Sequence, residues 1–273
     1  MPPIFYRQSA AGKYPGEGIS KEYERNRNQA LINPVDIIKP IQDFPDICIT
    51  TFSKKIIDKT AALMNAEVIT NLVSANGLNP IYRIRCAGRD FALYCSRVGA
   101  PASVCEMEEV IAMGADKFVF FGSCGVLNDA VVRNRIIVPS GTVRDEGTSY
   151  HYAAPEDDLV PDPKMNEILQ SSLEELRWPY VTGKIWTTDA IYRETIQIIS
   201  ERKEEGCIAV DMEYSALLAA ARFRNIKFLQ FFFGADSMNE EVWHSNDLTD
   251  YGISNADNYM KLAVSCGLRL SCA

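Results

Sequence analysis

Apolar and polar positions along the chain follow two periods. Four short apolar runs, Ile47–Phe52, Phe91–Cys95, Phe118–Phe121 and Phe228–Phe233, have strand length and are rich in β-branched and aromatic residues. Each reads as a strand, and Phe118–Phe121 and Phe228–Phe233 read as buried ones, the pattern of a parallel sheet. Glu67–Val73, Ile81–Arg85, Thr182–Trp186 and a run ending at Ile137-Val138-Pro139 read as further strands, with Gly88-Arg89 as a hairpin turn before Phe91. The helical period appears at Val104, Met107, Val110 and Ile111, so a helix is expected over Val104–Met113, with Gly114 as its C-cap. Helices are also expected over Ser53–Met64, Met165–Leu176, Tyr214–Phe223 and Asn255–Leu268. Gly141–Tyr152 and Asp158–Asp162 read as loops. The interleaving predicts an α/β fold: one domain over 34–273, with a central mixed β-sheet flanked by helices. Residues 1–33 are polar, with Pro, Gly and a charged run from Lys21 to Arg27, and read as an N-terminal arm or a short surface helix.

Composition narrows the classes of function. The chain has 273 residues, 47% of them hydrophobic, a net charge of −8 and a pI near 5.0. This charge disfavours a nucleic-acid surface, while a small anionic substrate stays open because local fields can oppose the net charge. Eight cysteines form no C-x-x-C pair, and several, such as Cys48, Cys95 and Cys124, lie in apolar runs. That pattern suits reduced thiols in a cytoplasmic protein. His151 and His244 lack ligand-type spacing, so no metal site is expected. Met1–Ala10 lacks a signal-peptide pattern, and no apolar run reaches the ~18 residues of a membrane helix. Both point to a chain without a membrane partner.

The stretch from Cys207 to Met238 concentrates the candidate chemistry. Asp236 falls at the carboxyl end of the strand Phe228–Phe233, where ligands bind in α/β sheets. Glu213, in the run Val210-Asp211-Met212-Glu213, opens the preceding helix. An acid there also stabilises the helix dipole, and an Asp after a strand is a common turn former. Spacing alone leaves both readings open. Gly122-Ser123-Cys124-Gly125 follows the strand Phe118–Phe121, where small residues let backbone amides converge on an oxyanion and Ser123 adds a hydroxyl donor. Arg97, in Ser96–Pro101 after Phe91–Cys95, is either a surface arginine or a cation pointing into the pocket.

The Val-Asp-Met-Glu block at 210–213, the helix and strand that follow it, and Ala235-Asp236 resemble the nucleoside phosphorylase family of purine nucleoside and uridine phosphorylases. The likeness covers roughly residues 45 to 270. It extends to Gly99 and Pro101, to Gly122–Gly125, and to Thr187-Thr188-Asp189-Ala190-Ile191-Tyr192, which is similar to a segment lining the base. Gly141–Tyr152 resembles the uridine phosphorylase loop, whose Arg144 is open to a structural role. The resemblance implies that Met212 and Glu213 hold the ribose, that Asp236 protonates a purine base, and that Ile191, Tyr192 and Val210 contact the base. It further implies that Gly122 and Ser123 bind phosphate; Arg97, which replaces a small residue of the family's segment, is the candidate to bind phosphate from a new direction.

Several positions depart from the family. The strand Ile47–Phe52 does not end in the G-D-P-x-R type phosphate turn, although Lys54 and Lys55 follow it. Phe120 stands where the family carries a phosphate-gripping arginine, and Ile191 replaces an aromatic. Asn239–Tyr251 lacks the arginine that assists the acid, leaving Trp243 and His244 as a flap or a surface loop. The Gln and Arg that read uracil have no clear counterpart after Tyr192.

The implied reaction is cleavage of the N-glycosidic bond of a nucleoside, purine favoured, with phosphate as nucleophile and co-substrate and no other cofactor. The alternatives are a nucleosidase of the same fold using water and a non-catalytic nucleoside-binding or storage relative. The family also implies a homodimer or a hexamer built from dimers.

Overall fold

The computed structural model describes residues 30–132, 134–238 and 243–272. In chain order the elements are α1 (Pro34–Ile37), β1 (Ile47–Thr51), α2 (Lys54–Leu63), β2 (Glu67–Ser74), β3 (Gly77–Cys86), β4 (Arg89–Cys95) and α3 (Ala100–Met113). They continue with β5 (Lys117–Val126), α4 (Asp129–Val132), β6 (Ile136–Asp145), α5 (Pro163–Glu175), β7 (Tyr180–Thr188) and α6 (Ile196–Glu204). The chain ends with β8 (Cys207–Asp211), α7 (Tyr214–Arg224), β9 (Lys227–Ser237) and α8 (Ala256–Leu270). The expected arm, 1–33, falls mostly outside the described residues, including its charged run.

The strands form one mixed sheet in the order β2-β3-β4-β1-β5-β8-β7-β6-β9, and β9 also pairs with β5. That extra pairing closes β5, β8, β7, β6 and β9 into a ring. Around the ring β5–β9, β6–β7 and β7–β8 are parallel, while β5–β8 and β6–β9 are antiparallel. The apolar runs account for this arrangement. β1 is buried along its whole length, and Phe118 to Phe121 and Phe228 to Phe233 are buried on both faces, as central parallel strands require. On one face the core joins Phe118, Phe120 and Phe228 to Val104, Met107 and Val110 of α3 and to the small residues Ala216 and Ala219–Ala221 of α7. On the other, Phe121, Phe231 and Phe233 pack under α2, α5 and α8, with Leu169, Leu173, Leu262 and Cys266 among the contacts. The α/β mixed-sheet architecture read from the sequence is the one present.

Several strands are longer than the pattern suggested, and three of them bear on the site. β5 continues through Gly122–Gly125, which pairs with β9 as extended backbone (Gly122↔Phe232, Ser123↔Phe233, Cys124↔Gly234). Neither Gly122 nor Gly125 takes a left-handed φ, so this is a strand end and not the anion-cradling turn expected. β6 runs on to Asp145, bulged at Pro139/Gly141, where a loop was expected from Gly141. β9 runs past Gly234 to Ser237, because β5 and His244 both supply partners to it. Of the eight cysteines, all free, Cys48, Cys124, Cys207 and Cys266 are buried, whereas Cys105 and Cys272 are exposed. Among the described residues no helix is long and apolar enough to cross a membrane.

Candidate active site

The tips of β5, β8 and β9 meet at the floor of a cavity of about 780 Å³. In the ladder, Gly125 stands between Val210 of β8 and Asp236 of β9. A Cβ on Gly125 would lie 2.3 Å from Met238 Cε and 3.0 Å from Val210 Cγ1, so only glycine leaves the floor open. Ser123, Val210, Met212, Glu213, Ile191, Tyr192 and Asp236 all line this one cavity. Seven of the nine side chains or positions singled out from sequence are thereby brought together.

Glu213 is buried, 5% exposed, at the N-cap of α7, yet its carboxylate caps nothing. That role belongs to Asp211, whose Oδ2 accepts the N–H groups of Glu213 and Tyr214 at 3.1 and 2.7 Å, while Thr187 Oγ1 donates to its Oδ1 at 2.7 Å. Relieved of capping, Glu213 reaches across to Gly99, whose N–H donates to its Oε1 at 2.6 Å. Gly99 can aim that N–H because its φ is +101°, a conformation glycine adopts freely, and Pro101 then starts α3 in the first helical turn. Burial raises the affinity of both Asp211 and Glu213 for a proton, and Asp211's charge pushes Glu213 up further. This is a held carboxyl pair of the kind associated with catalytic sites.

Asp236 owes its direction to a bulge. Cys124 pairs with Gly234 but Gly125 pairs with Asp236, so Ala235 is the extra residue of β9. Bulges beside sites commonly re-aim a side chain. The indole Nε1–H of Trp243 donates to Asp236 Oδ2 at 2.8 Å. Trp243 is thus a donor to Asp236 from a segment that has no arginine. It is not a free flap, because His244 forms a bridge with Ser237 through N–H···O contacts of 2.9 and 3.0 Å.

One wall of the cavity, where base contacts were expected, comes from the segment after β7. Ile191 and Tyr192 stand at the mouth, 46% and 93% exposed, and Val210 at the floor is 4% exposed. Glu194 also lines the cavity and went unnoticed in the sequence. Flanked by Arg193 and Thr195, it resembles any solvated acid. The available signal was its place two residues beyond Tyr192, where uracil-reading side chains had been sought. Burial, and then the charge of Asp236, push Glu194 up to about 7.

The anion side differs from expectation. Gly122 is buried beneath Phe52, whose ring would lie 2.7 Å from an added Cβ, so Gly122 does not reach the cavity. Phe120 is fully buried between Phe52, Phe118 and Phe228, at ring separations of 6.1, 6.2 and 5.5 Å. Its position is filled by aromatic core, with no room for a guanidinium. Arg97 turns the other way. Its Nε pairs with Glu106 Oε1 at 3.0 Å, its backbone N–H donates to Glu106 Oε2 at 2.9 Å, and its guanidinium also donates to Ser74. It lines a neighbouring cavity, separated by Phe52 and Val98, which line both. Lys54 pairs with Asp58, and Lys55 sits over the ring of Tyr251 at 5.0 Å. Ser123 alone of the three expected phosphate ligands faces the site. Among the described residues the cavity is lined by Glu194, Asp211, Glu213 and Asp236, and by no Lys, Arg or His. Arg144 is structural: it donates to Ser149, Ala153 and Ala154 and stacks on Tyr150.

The fold is thus an α/β one whose mixed sheet closes on itself, with the buried carboxyl groups of Asp211 and Glu213 at a strand tip. Residues 46–266 match the model of the Phosphorylase superfamily, and the chain belongs to that superfamily. It is 26% identical over 158 residues to the guanosine phosphorylase of Halorubrum lacusprofundi, covering 58% of this chain and 66% of that protein. It is 23% identical over 180 residues to the uridine phosphorylase of Treponema pallidum, covering 61% and 68% respectively. The chain therefore spans about two thirds of the length of these curated relatives. The crystal structure of an AMP nucleosidase from Bacteroides thetaiotaomicron shares the fold, with a TM-score of 0.67 and 17% identity, covering 82% of this chain and 87% of that one.

Proposed function

We propose that the chain cleaves the N-glycosidic bond of a purine nucleoside, with water as the nucleophile. The observation that carries this reading is the charge of the cavity: four carboxyl groups and, among the described residues, no cation. Cleavage develops positive charge on the sugar, an oxocarbenium-like transition state. Carboxylates stabilise that charge, whereas a phosphate dianion in the same place has nothing to offset its desolvation. Glu213 holds the ribose hydroxyls, and Met212 packs on the sugar face. Asp236 gives its proton to N7 as the C1′–N9 bond breaks. The water oxygen bonds to C1′, and its proton returns to the Asp236 carboxylate. The products are the free base and ribose.

Phosphorolysis is the second reading, favoured by the names of the relatives and by the open mouth of the cavity. There Tyr192, Ile196, Val98, Trp243 and Tyr251 are 93%, 64%, 62%, 56% and 51% exposed. A second copy of the chain docked at that mouth, in a dimer or hexamer, would be the source of the missing cation. Following guanosine and inosine cleavage in phosphate-free buffer and with added phosphate separates the two. Equal rates with free ribose as product support hydrolysis; a strict phosphate requirement with ribose 1-phosphate as product overturns it.

A further inference from the structure

A third buried acid stands behind the Asp211–Glu213 pair, and it does not line the cavity. Glu146, 2% exposed, follows the last residue of β6. Its Oε2 accepts the N–H of Ser149 at 2.9 Å, in the turn Thr148–His151. Its Oε1 accepts the Ser215 hydroxyl at 2.7 Å, in the first turn of α7. Among the described residues no salt bridge reaches it. Anchoring the turn needs one acceptor for one N–H, and a small hydroxyl or an exposed acid serves there. Burying a carboxyl group without a cation is costly, so the contact with α7 calls for a further reason.

That contact continues to the site. The Ser215 N–H donates to Thr187 Oγ1 at 3.1 Å, and Thr187 Oγ1 donates to Asp211 Oδ1 at 2.7 Å. Glu146, Ser215, Thr187 and Asp211 are all buried. A hydroxyl has a single proton to give. Ser215 gives its own to Glu146 and Thr187 gives its own to Asp211, so the bonds run towards an acid at each end. In a low-dielectric interior such a chain transmits orientation, and charge along it is felt strongly. Burial, and with it the charge of Glu146, raises the affinity of Asp211 for a proton, against the donors Thr187, Tyr214 and Glu213.

We propose that Glu146 is a positioning residue for the Asp211–Glu213 pair, acting on it through Ser215 and Thr187. It fixes the head of α7, and with it the Asp211 carboxylate, and it adds negative charge behind the pair. The other titratable groups around the pair are Asp236, Glu194, Tyr192 and Tyr251 across the cavity, with Cys124 and Tyr214 beside it. Asp189, which takes the Gly147 N–H at 3.0 Å, faces Glu146 itself. A carboxyl pair ionises as pH rises. Without the Glu146 charge behind it, the pair ionises at lower pH.

Carboxyl-carbon NMR titration of the ligand-free protein reads the pair directly, with the two resonances assigned from Asp211→Asn and Glu213→Gln. In Glu146→Gln the midpoint of the pair should fall by ~0.5 unit or more, the scale on which a nearby like charge acts. In Glu146→Asp, which keeps the charge, it should stay near the wild-type value. The kcat for guanosine should fall about 10-fold in Glu146→Gln, as expected from a displaced reacting group, with KM little changed. This kinetic arm rests on the cleavage reading; the titration does not. An unmoved midpoint in folded Glu146→Gln, or a wild-type kcat in an enzyme that cleaves guanosine, overturns the role of Glu146 and leaves the cleavage reading standing. A lowered midpoint in a protein whose wild type cleaves no nucleoside supports Glu146 and overturns the cleavage reading. Should Glu146→Gln not fold, Ser215→Ala breaks the same link and should shift the Asp211 carboxyl resonance; a wild-type resonance there overturns the proposal.

Discussion

The two ends of the cavity teach different things. At the end lined by Asp211, Glu213 and Asp236, where we propose that the sugar binds, every one of these carboxyl groups has a structural reason to be where it is. Asp211 takes the helix N-terminus, Gly99 fixes Glu213, and the bulge at Ala235 turns Asp236 inward. At the end where phosphate ligands were expected, only Ser123 of the three faces the cavity. Ser123 is exposed to the cavity, Phe120 fills the place of an arginine, and Arg97 is neutralised by Glu106. A site of this type is thus two separable devices. On the reading proposed above, one would stabilise positive charge on a sugar and the other would hold an anion, and among the described residues only the carboxyl groups of the first line the cavity.

The comparison can be broken most decisively at Glu213. Glu213→Gln should lower kcat about 10²- to 10³-fold, in line with loss of one electrostatic contact to a transition state, with the fold intact by circular dichroism. Wild-type turnover would end its role at the sugar. Asp236→Asn should cost about 10²-fold with guanosine but little with 7-methylguanosine, whose base already carries the positive charge that protonation supplies. Equal losses with both substrates would show that Asp236 is not the acid.

At the other end the expected effect is on stability. Arg97→Ala should leave the phosphate dependence unchanged while lowering the melting temperature, because buried Glu106 loses a charged partner at a cost of about 1–3 kcal/mol. A raised apparent phosphate KM would instead return Arg97 to the active site. The smallest change is expected from Trp243→Phe, which removes one donor to Asp236 for about 1 kcal/mol. It should slow guanosine cleavage roughly 5-fold and leave 7-methylguanosine untouched, as read by the ratio of the two rates.

The residues legible in the sequence were those whose position follows from an element boundary. Val210 to Glu213 close a strand and open a helix, and Asp236 ends a buried run, so both fall at the tips where ligands bind. The misreadings have different causes, from a ladder partner far along the chain to a neighbour a few residues away. Gly122–Gly125 looked like a turn because its β9 ladder partners lie more than a hundred residues on. Arg97 looked available because nothing in Ser96–Pro101 reveals that Glu106, on the buried face of α3, would claim it. The role of Glu213 as a cap was plausible until Asp211, two residues earlier, proved to be the shorter acid that reaches both amides. Glu194 was overlooked because a lone acid among polar neighbours has no pattern.

The closed ring of five strands carries a mechanical consequence. Val210, Gly125 and Asp236 lie side by side on adjacent strands of it, so their spacing is set by the hydrogen-bond repeat of a sheet, about 4.8 Å per strand. A ring has no edge from which to fray, so these three amides should exchange with deuterium only when the whole domain opens. The segments at 191–194 and 243–251 are tied to the ring at few points and should exchange sooner. The floor of the cavity then behaves as a fixed ruler, and the walls above it are free to diverge without altering the spacing of Val210, Gly125 and Asp236.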